Sequence, residues 1–261
     1  MAVRPRSFVN RIIRQRARRT WHSLAGSVGK LGRAKTKKLR NEAQMLSRDL
    51  NLFLARTDPR GEQARQALDA LHLPVGTDWR WRPDIMTGQI NPKAIVSPQN
   101  GEKLGAQAAL WHDCDQSTVI LEQVVNNRST DLAPFGLRME VFGFSGSYLA
   151  MSIDLPQDAL DGLTRDHILR LETILAVERK MRIFARLNVV NGPNNDQVTH
   201  DLGEIVSETG DQYINEFDLA YTEINEKRLE KIWLDLIFEA PHMNALLVRD
   251  IFFSRHRRAE F

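Results

Sequence analysis

The chain has 261 residues, of which 42% are hydrophobic, and a single cysteine, Cys114. That is enough for one full-sized domain with an ordinary core plus an appendage, and it excludes disordered and collagenous classes. One thiol also excludes an internal disulfide framework and a four-thiolate metal site, so folding must rest on burial and hydrogen bonding, as suits synthesis in a reducing cytoplasm.

The formal net charge of +3 conceals a division of charge. Residues 1–40 hold 13 Lys or Arg and no Asp or Glu, whereas the remaining residues hold 23 basic and 33 acidic side chains. A basic arm therefore precedes an acidic body. Such an arm seeks an acidic surface, whether nucleic acid, anionic lipid, an acidic protein or a neighbouring copy of its own body. Its candidate contacts are Arg11, Arg14, Arg16, Arg18, Arg19, Lys35, Lys37 and Lys38. Neither a convincing leader segment nor an apolar run of transmembrane length is found.

In chain order, residues 5–21 form a basic amphipathic helix with Phe8, Ile12, Ala17 and Trp21 at roughly helical spacing. Gly26, Gly29 and Gly32 break that pattern and give a joint before a second helix, for which Thr36 is the expected cap. Leu39, Ala43, Leu46, Leu50 and Phe53 then recur in steps of four and three. This period suits a helix packed against its own domain or, as a second reading, a helical self-association contact, because two heptads fall short of the three or four a coiled coil needs. Asp58-Pro59 ends the helix, and Gln63 to Leu73 reads as another before Pro74. These signals divide the chain into a basic arm at 1–35, a helical neck at 36–75 and a body at 76–258.

Beyond Trp79 the pattern changes to period two, and about nine strands are expected. The clearest are Thr118 to Val125, Leu137 to Phe144, Ser147 to Leu155, Ile168 to Val177, Met181 to Val190, Glu216 to Thr222, Ile232 to Glu239 and Leu246 to Phe253. Met181, Ile183, Ala185, Leu187 and Val189 alternate with Arg182, Arg186 and Asn188, which is how a sheet with one wet face is written. Phe144-Ser145-Gly146-Ser147 reads as a tight hairpin, and Asn191-Gly192-Pro193-Asn194-Asn195-Asp196 as a longer loop. Many antiparallel strands with few helices predict a mainly β fold, an antiparallel β-sandwich resembling a jelly roll, behind a short helical N-terminal region.

Chemistry-bearing clusters are few. His112-Asp113-Cys114-Asp115 joins a base, carboxylates and a thiol, yet no nucleophile motif surrounds Cys114, and a loop between strands accounts for the cluster. His22, His72, His167, His200, His242 and His256 are scattered, and no pair has zinc-ligand spacing. Phosphate loops, dinucleotide fingerprints and nucleophile elbows are missing. The expectation is a protein that is not an enzyme and needs no cofactor. Asn194, Asn195, Asp196 and Asp201 are a minor candidate for a structural calcium, though the twelve-residue calcium loop is absent and a solvated turn explains them. For ligand stacking, Trp79 and Trp81 share one strand face and Trp233 lies opposite Ile232 and Leu234. For Trp79 and Trp81 core packing at the junction between helices and sandwich is the preferred reading, with stacking second.

Phe142-Gly143-Phe144-Ser145-Gly146-Ser147-Tyr148-Leu149 and Trp233-Leu234-Asp235-Leu236-Ile237-Phe238-Glu239-Ala240-Pro241 resemble an uncharacterised family of bacterial jelly-roll-like proteins. The second segment is also similar to the closing strands of carbohydrate-binding jelly rolls, and the similarity covers about residues 79 to 258. Proteins of this kind are associated with the head spikes of gene transfer agents, phage-like particles that package bacterial DNA. The resemblance implies a structural protein, made in the cytoplasm and incorporated into such a particle. Its arm and helices would anchor or oligomerise on an acidic capsid or spike partner, and its sandwich would support attachment to the cell surface. It carries over no binding residue. Competing expectations are a carbohydrate-binding module and a basic-arm protein for nucleic acid or membrane surfaces.

Overall fold

A computed structural model describes residues 5–57, 73–115 and 118–258. Two compact units divide the chain, Met1–Asp49 and Leu50–Phe261. The expected helix over 63–73 lies outside the described residues apart from Leu73.

Helix α1 spans Pro5–Gly26 and α2 spans Arg33–Thr57. The first continues past Trp21 because Ser23, Leu24 and Ala25 tolerate helical dihedrals, and it stops at the first glycine, whose backbone leaves a helix at least cost. Thr36 is not the cap of α2. Its N–H and hydroxyl both donate to the Gly32 carbonyl, at 3.0 and 3.2 Å, which places it one turn inside with Gly32 at the entrance. Helix α2 ends immediately before Asp58-Pro59, in keeping with the bias of a residue preceding proline away from helical dihedrals. On its apolar stripe, Leu46, Leu50 and Phe53 are exposed.

The body is an antiparallel β-sandwich of jelly-roll type. Its strands are β1 (Thr77–Trp81), β2 (Ala94–Val96), β3 (Glu102–Leu104), β4 (Ala108–His112), β5 (Thr118–Val125), β6 (Phe135–Gly143) and β7 (Leu149–Asp154). They continue with β8 (His167–Val177), β9 (Met181–Asn191), β10 (Asn194–Ile205), β11 (Asp211–Asp218), β12 (Leu229–Phe238) and β13 (Asn244–Arg257). One sheet has the order β11-β8-β13-β6-β5-β2, with β1 paired to β13; the other has the order β10-β9-β12-β7-β4-β3. A single-turn helix, α3 (Asp84–Thr87), follows β1 and buries Ile85 and Met86.

Period-two side chains fill the space between the sheets. The six-stranded sheet contributes Leu149, Met151, Ile183, Leu187, Leu234, Leu236 and Phe238, and the opposing sheet contributes Leu137, Met139, Leu171, Leu175, Ile251 and Phe253. Phe217 of β11 is fully buried, with its ring 5.0 Å from and edge-on to that of His200 on β10, so it joins the two sheets along one open side.

Three local expectations are corrected. Residues 144–147 do not close a hairpin, because β6 and β7 lie in different sheets and the segment carries the chain between them. Conversely, residues 191–196 are not a long loop: Asn191 pairs with Asn194 across a two-residue turn at Gly192-Pro193, with Gly192 at φ +63°, and β10 starts at once. The strand expected over 216–222 ends at Asp218, whose side chain accepts from the Ala220 N–H at 3.0 Å and starts a 3-10 turn over Leu219–Tyr221.

Beside β13, Arg255 clamps Asp78 of β1 with Nε 2.8 Å from Oδ1, and His167 Nε2 of β8 stands 3.4 Å from Oδ2. Burial pushes the Asp78 carboxyl up, but the hydrogen bond and charge of Arg255 and the charge of His167 outweigh it and hold the group below its ordinary value. A carboxyl depressed in the fold adds stability above its unfolded pKa and loses it as pH falls through the folded value. Asp78→Asn is accordingly expected to melt below wild type at neutral pH. The gap should close as the buffer is acidified through the carboxylate range, which thermal melts across a pH series will read.

Candidate functional site

The outward face of the six-stranded sheet is where alternation places aromatic and charged side chains together. Following β9 with Met181, Ile183, Ala185, Leu187 and Val189 turned inward, Arg182, Phe184, Arg186 and Asn188 must face out. Strand pairing extends that row-by-row. Asn188 pairs with Trp233 and Trp233 with Asp154; Arg186 pairs with Asp235 and Asp235 with Ser152; Phe184 pairs with Ile237, Ile237 with Ala150, and Ala150 with Trp111.

Small residues pave the middle of this face: Ala109, Ala150 and Ser152 are outward-pointing yet at most 5% exposed. Trp111 lies across β4 above them. On one side its six-membered ring sits over Gly101, where an added Cβ would come within 3.0 Å of Cζ3, and on the other its Nε1–H donates to Ser152 Oγ at 2.8 Å. The absence of a side chain at Gly101 lets the ring settle, and the bond to Ser152 fixes its direction while Trp111 stays 42% exposed. Counted along the ladders, Trp233 is four residues and two strands away, roughly 16 Å on ordinary strand geometry.

A polar network adjoins Trp233 across β12 and β9. Arg186 donates to Asp235 Oδ2 from Nη2 at 2.9 Å and from Nε at 3.2 Å, and Asn188 Nδ2 donates to the same oxygen at 2.9 Å. Asn188 is fully buried and its Oδ1 has no partner. At the rim, Arg182 donates to Asp201 at 3.0 Å, and its charge and hydrogen bonds hold the Asp201 carboxyl below its usual range. Tyr148, immediately before β7, is 40% exposed.

The stacking candidates thus separate. Trp233 stands on this face, with Lys231 Nζ 4.9 Å over its ring. Trp79 and Trp81 do share one side of β1, as their alternation requires, but it is the inner side: they stack at 6.4 Å and 21°, half-buried against the core, and Trp81 packs 6.3 Å from Phe253. Trp111 was the aromatic residue that sequence reasoning missed.

His112-Asp113-Cys114-Asp115 begins at the end of β4, and three of its side chains fasten loops. His112 Nε2 bonds the Pro98 carbonyl at 2.9 Å while Nδ1 accepts from the Cys114 N–H at 3.2 Å, which defines the Nε2–H tautomer. Asp113 accepts from the Ser147 hydroxyl and from the N–H groups of Tyr148 and Ser147, and these bonds hold its carboxyl below the ordinary range. The Cys114 thiol meets Ser145 Oγ at 3.4 Å. Of the oxygen cluster considered for calcium, all four residues lie along β10. Asp196 accepts from Asn191 Nδ2 and the Glu223 N–H, and Asp201 is tied to Arg182. Among the described residues no group of three or more His, Cys, Asp or Glu converges as a metal site would.

Arg11, Arg14, Arg16, Arg18 and Arg19 are exposed on α1, and Lys35, Lys37 and Lys38 are exposed on α2. No helix among the described residues is long and apolar enough to cross a membrane.

Fold and surface together define a jelly-roll β-sandwich protein with an aromatic, polar sheet face, preceded in the chain by a basic helical segment. The chain belongs to the family of unknown function DUF6478, which matches residues 1–261. No curated protein matches it. Among solved structures it is similar to the family 11 carbohydrate-binding module from Clostridium thermocellum in complex with a β-1,3-1,4-mixed-linked tetrasaccharide, at 10% identity and a TM-score of 0.38 over 62% of this chain and 94% of that one. The xylan-binding domain CBM22-1 from Paenibacillus barcinonensis Xyn10C is similar at 11% identity and a TM-score of 0.38, over 64% and 94%. The enzymatically active domain of bacteriophage CBA120 tailspike protein 4 is similar at 10% identity and a TM-score of 0.41; the match covers 60% of this chain but only 21% of the tailspike chain.

Proposed function

We propose that this is a non-catalytic binding protein whose six-stranded sheet takes an extended glycan on its outer face, while the basic helical unit attaches it to an acidic partner. One observation carries the reading: Trp111 is fixed between Gly101 and Ser152 with its indole open to solvent, on the same sheet face as Trp233 and the Arg186–Asp235–Asn188 network that adjoins Trp233. A flat aromatic ring offers an apolar, polarisable surface to the C–H face of a pyranose, and charged groups farther along the same face offer strong donors and acceptors to sugar hydroxyls. Placement on paired strands keeps both in register without ordering cost on binding. The separation of Trp111 from Trp233 favours a chain of sugars over a single one.

The finer reading implied by the resemblance, a head-spike component attaching a gene transfer agent to the cell surface, assigns the glycan face to the target cell and the exposed arginines of α1 to the particle. It draws support from the division of charge between residues 1–40 and the rest.

Trp111→Ala is expected to weaken binding to a soluble polysaccharide at least tenfold, about 1.4 kcal/mol or more, because it removes the stacking surface. Trp79→Phe, a change in the half-buried pair on β1, serves as the control. Isothermal titration with both variants, checked for folding by circular dichroism, decides the matter. Equal losses in the two would remove the face as the site.

A further inference from the structure

Asp154, at the end of β7, receives two lysines from opposite sides: Lys103 Nζ of β3 at 3.3 Å and Lys231 Nζ of β12 at 2.8 Å. Two ammonium groups on one carboxylate leave this cluster with surplus positive charge. Elsewhere on the face, Arg186 is taken up by Asp235, whose side chain is 7% exposed, and Arg182 by Asp201. The surplus is therefore local to the Trp233 end, where Lys231 also covers the indole ring. Both lysine side chains are about half exposed, at 50% and 54%, and so within reach of a ligand.

We infer that the glycan is anionic, and that a sugar carboxylate completes this cluster by accepting from Lys103 and Lys231. The inference rests on the glycan reading of the sheet face. Each ammonium has three donor hydrogens, and the bond to Asp154 occupies one of them, which leaves two on each lysine for a second carboxylate without displacing the first. A second anion balances the two cations, whereas an uncharged sugar leaves the excess in place. Lys231 then holds the charged substituent beside Trp233 while the chain of sugars runs toward Trp111. Since the pairing is solvent-exposed, it weakens with added salt.

The test compares trigalacturonate with neutral cellotriose by isothermal titration on the full chain at low and high salt, in wild type, Trp111→Ala, and the double variant Lys103→Met with Lys231→Met. The expected result is salt-sensitive binding of trigalacturonate, at least tenfold tighter than cellotriose and lost in both variants. Equal affinity for the two trisaccharides, with loss in Trp111→Ala, would overturn the anionic preference and leave the face reading intact. Trigalacturonate binding that survives both variants belongs to the arginines of α1 and overturns the inference as well. Binding of neither sugar removes the face reading together with it.

Discussion

Arg82→Met is expected to destabilise the fold by about 3–5 kcal/mol, the range for stranding a buried charge. Arg82 grips Asp250 of β13 with Nε on Oδ1 and Nη2 on Oδ2, both at 2.8 Å, and the two side chains are 1% and 9% exposed. The guanidinium also lies 5.9 Å over the Phe252 ring. Replacing it leaves the carboxylate with neither water nor counter-charge. Burial already raises the Asp250 carboxyl above its ordinary value, against the opposing pull of Arg82. With Arg82 gone, protonation becomes the only relief. The folded protein then binds a proton more tightly than the unfolded chain, so stability falls as pH rises. The penalty in Arg82→Met should thus be smaller in mildly acidic than in mildly alkaline buffer, and the double variant Arg82→Met with Asp250→Leu should recover most of it. Urea denaturation of the three proteins at two pH values tests each part. A penalty that does not change with pH would show that the cost comes from lost packing, not from the stranded charge.

Phe217→Ala is expected to cost about 3–5 kcal/mol, the usual toll of emptying a fully enclosed phenylalanine site. Its position adds a local signature. The ring stands between β11 of one sheet and β10 of the other, edge-on to His200, whose Nε2 is buried without a partner. A void there lets water reach that nitrogen and frees both edge strands. Hydrogen exchange should accelerate in β10 and β11 well before β8 and β9, while a cavity of similar size at Leu187, deeper in the six-stranded sheet, should raise exchange throughout.

The strands most legible in the sequence are those with one buried face and one wet face. β9 and β12 alternate along most of their length, and Arg182, Arg186, Asn188 and Trp233 are among their outward members on the candidate face. β10 escaped because it is an edge strand, and Asn194 to His200 is polar at almost every position. The turn between β6 and β7 shows why local signals mislead: Phe144 to Ser147 encodes a reversal, but whether the next strand pairs with its predecessor or crosses to the other sheet depends on contacts far along the chain. The candidate site was half visible for a related reason. Trp111 is flanked by Ala109, and the floor beneath it is Ala150 and Ser152; small residues carry no polarity contrast, so nothing marks their side as outward. For Trp79 and Trp81 the shared side follows from alternation, and the preferred reading of core packing agrees with their place against Phe253 and the core.

Strand β13 pairs with β8 along nearly its whole length, with β6 over its first part and with β1 over its second. It follows all three in the chain, so every one of those partners is synthesised before it. Until it arrives, β6, β8 and β1 expose unpaired backbone edges, and neither β1 nor its two indoles has a strand to rest on. Long-range pairing of this kind is slow to form and open to mispairing in the meantime. The body is therefore expected to fold only once β13 has been synthesised and in one step, and chains interrupted before residue 244 should be recovered as aggregates or degradation products instead of partial domains.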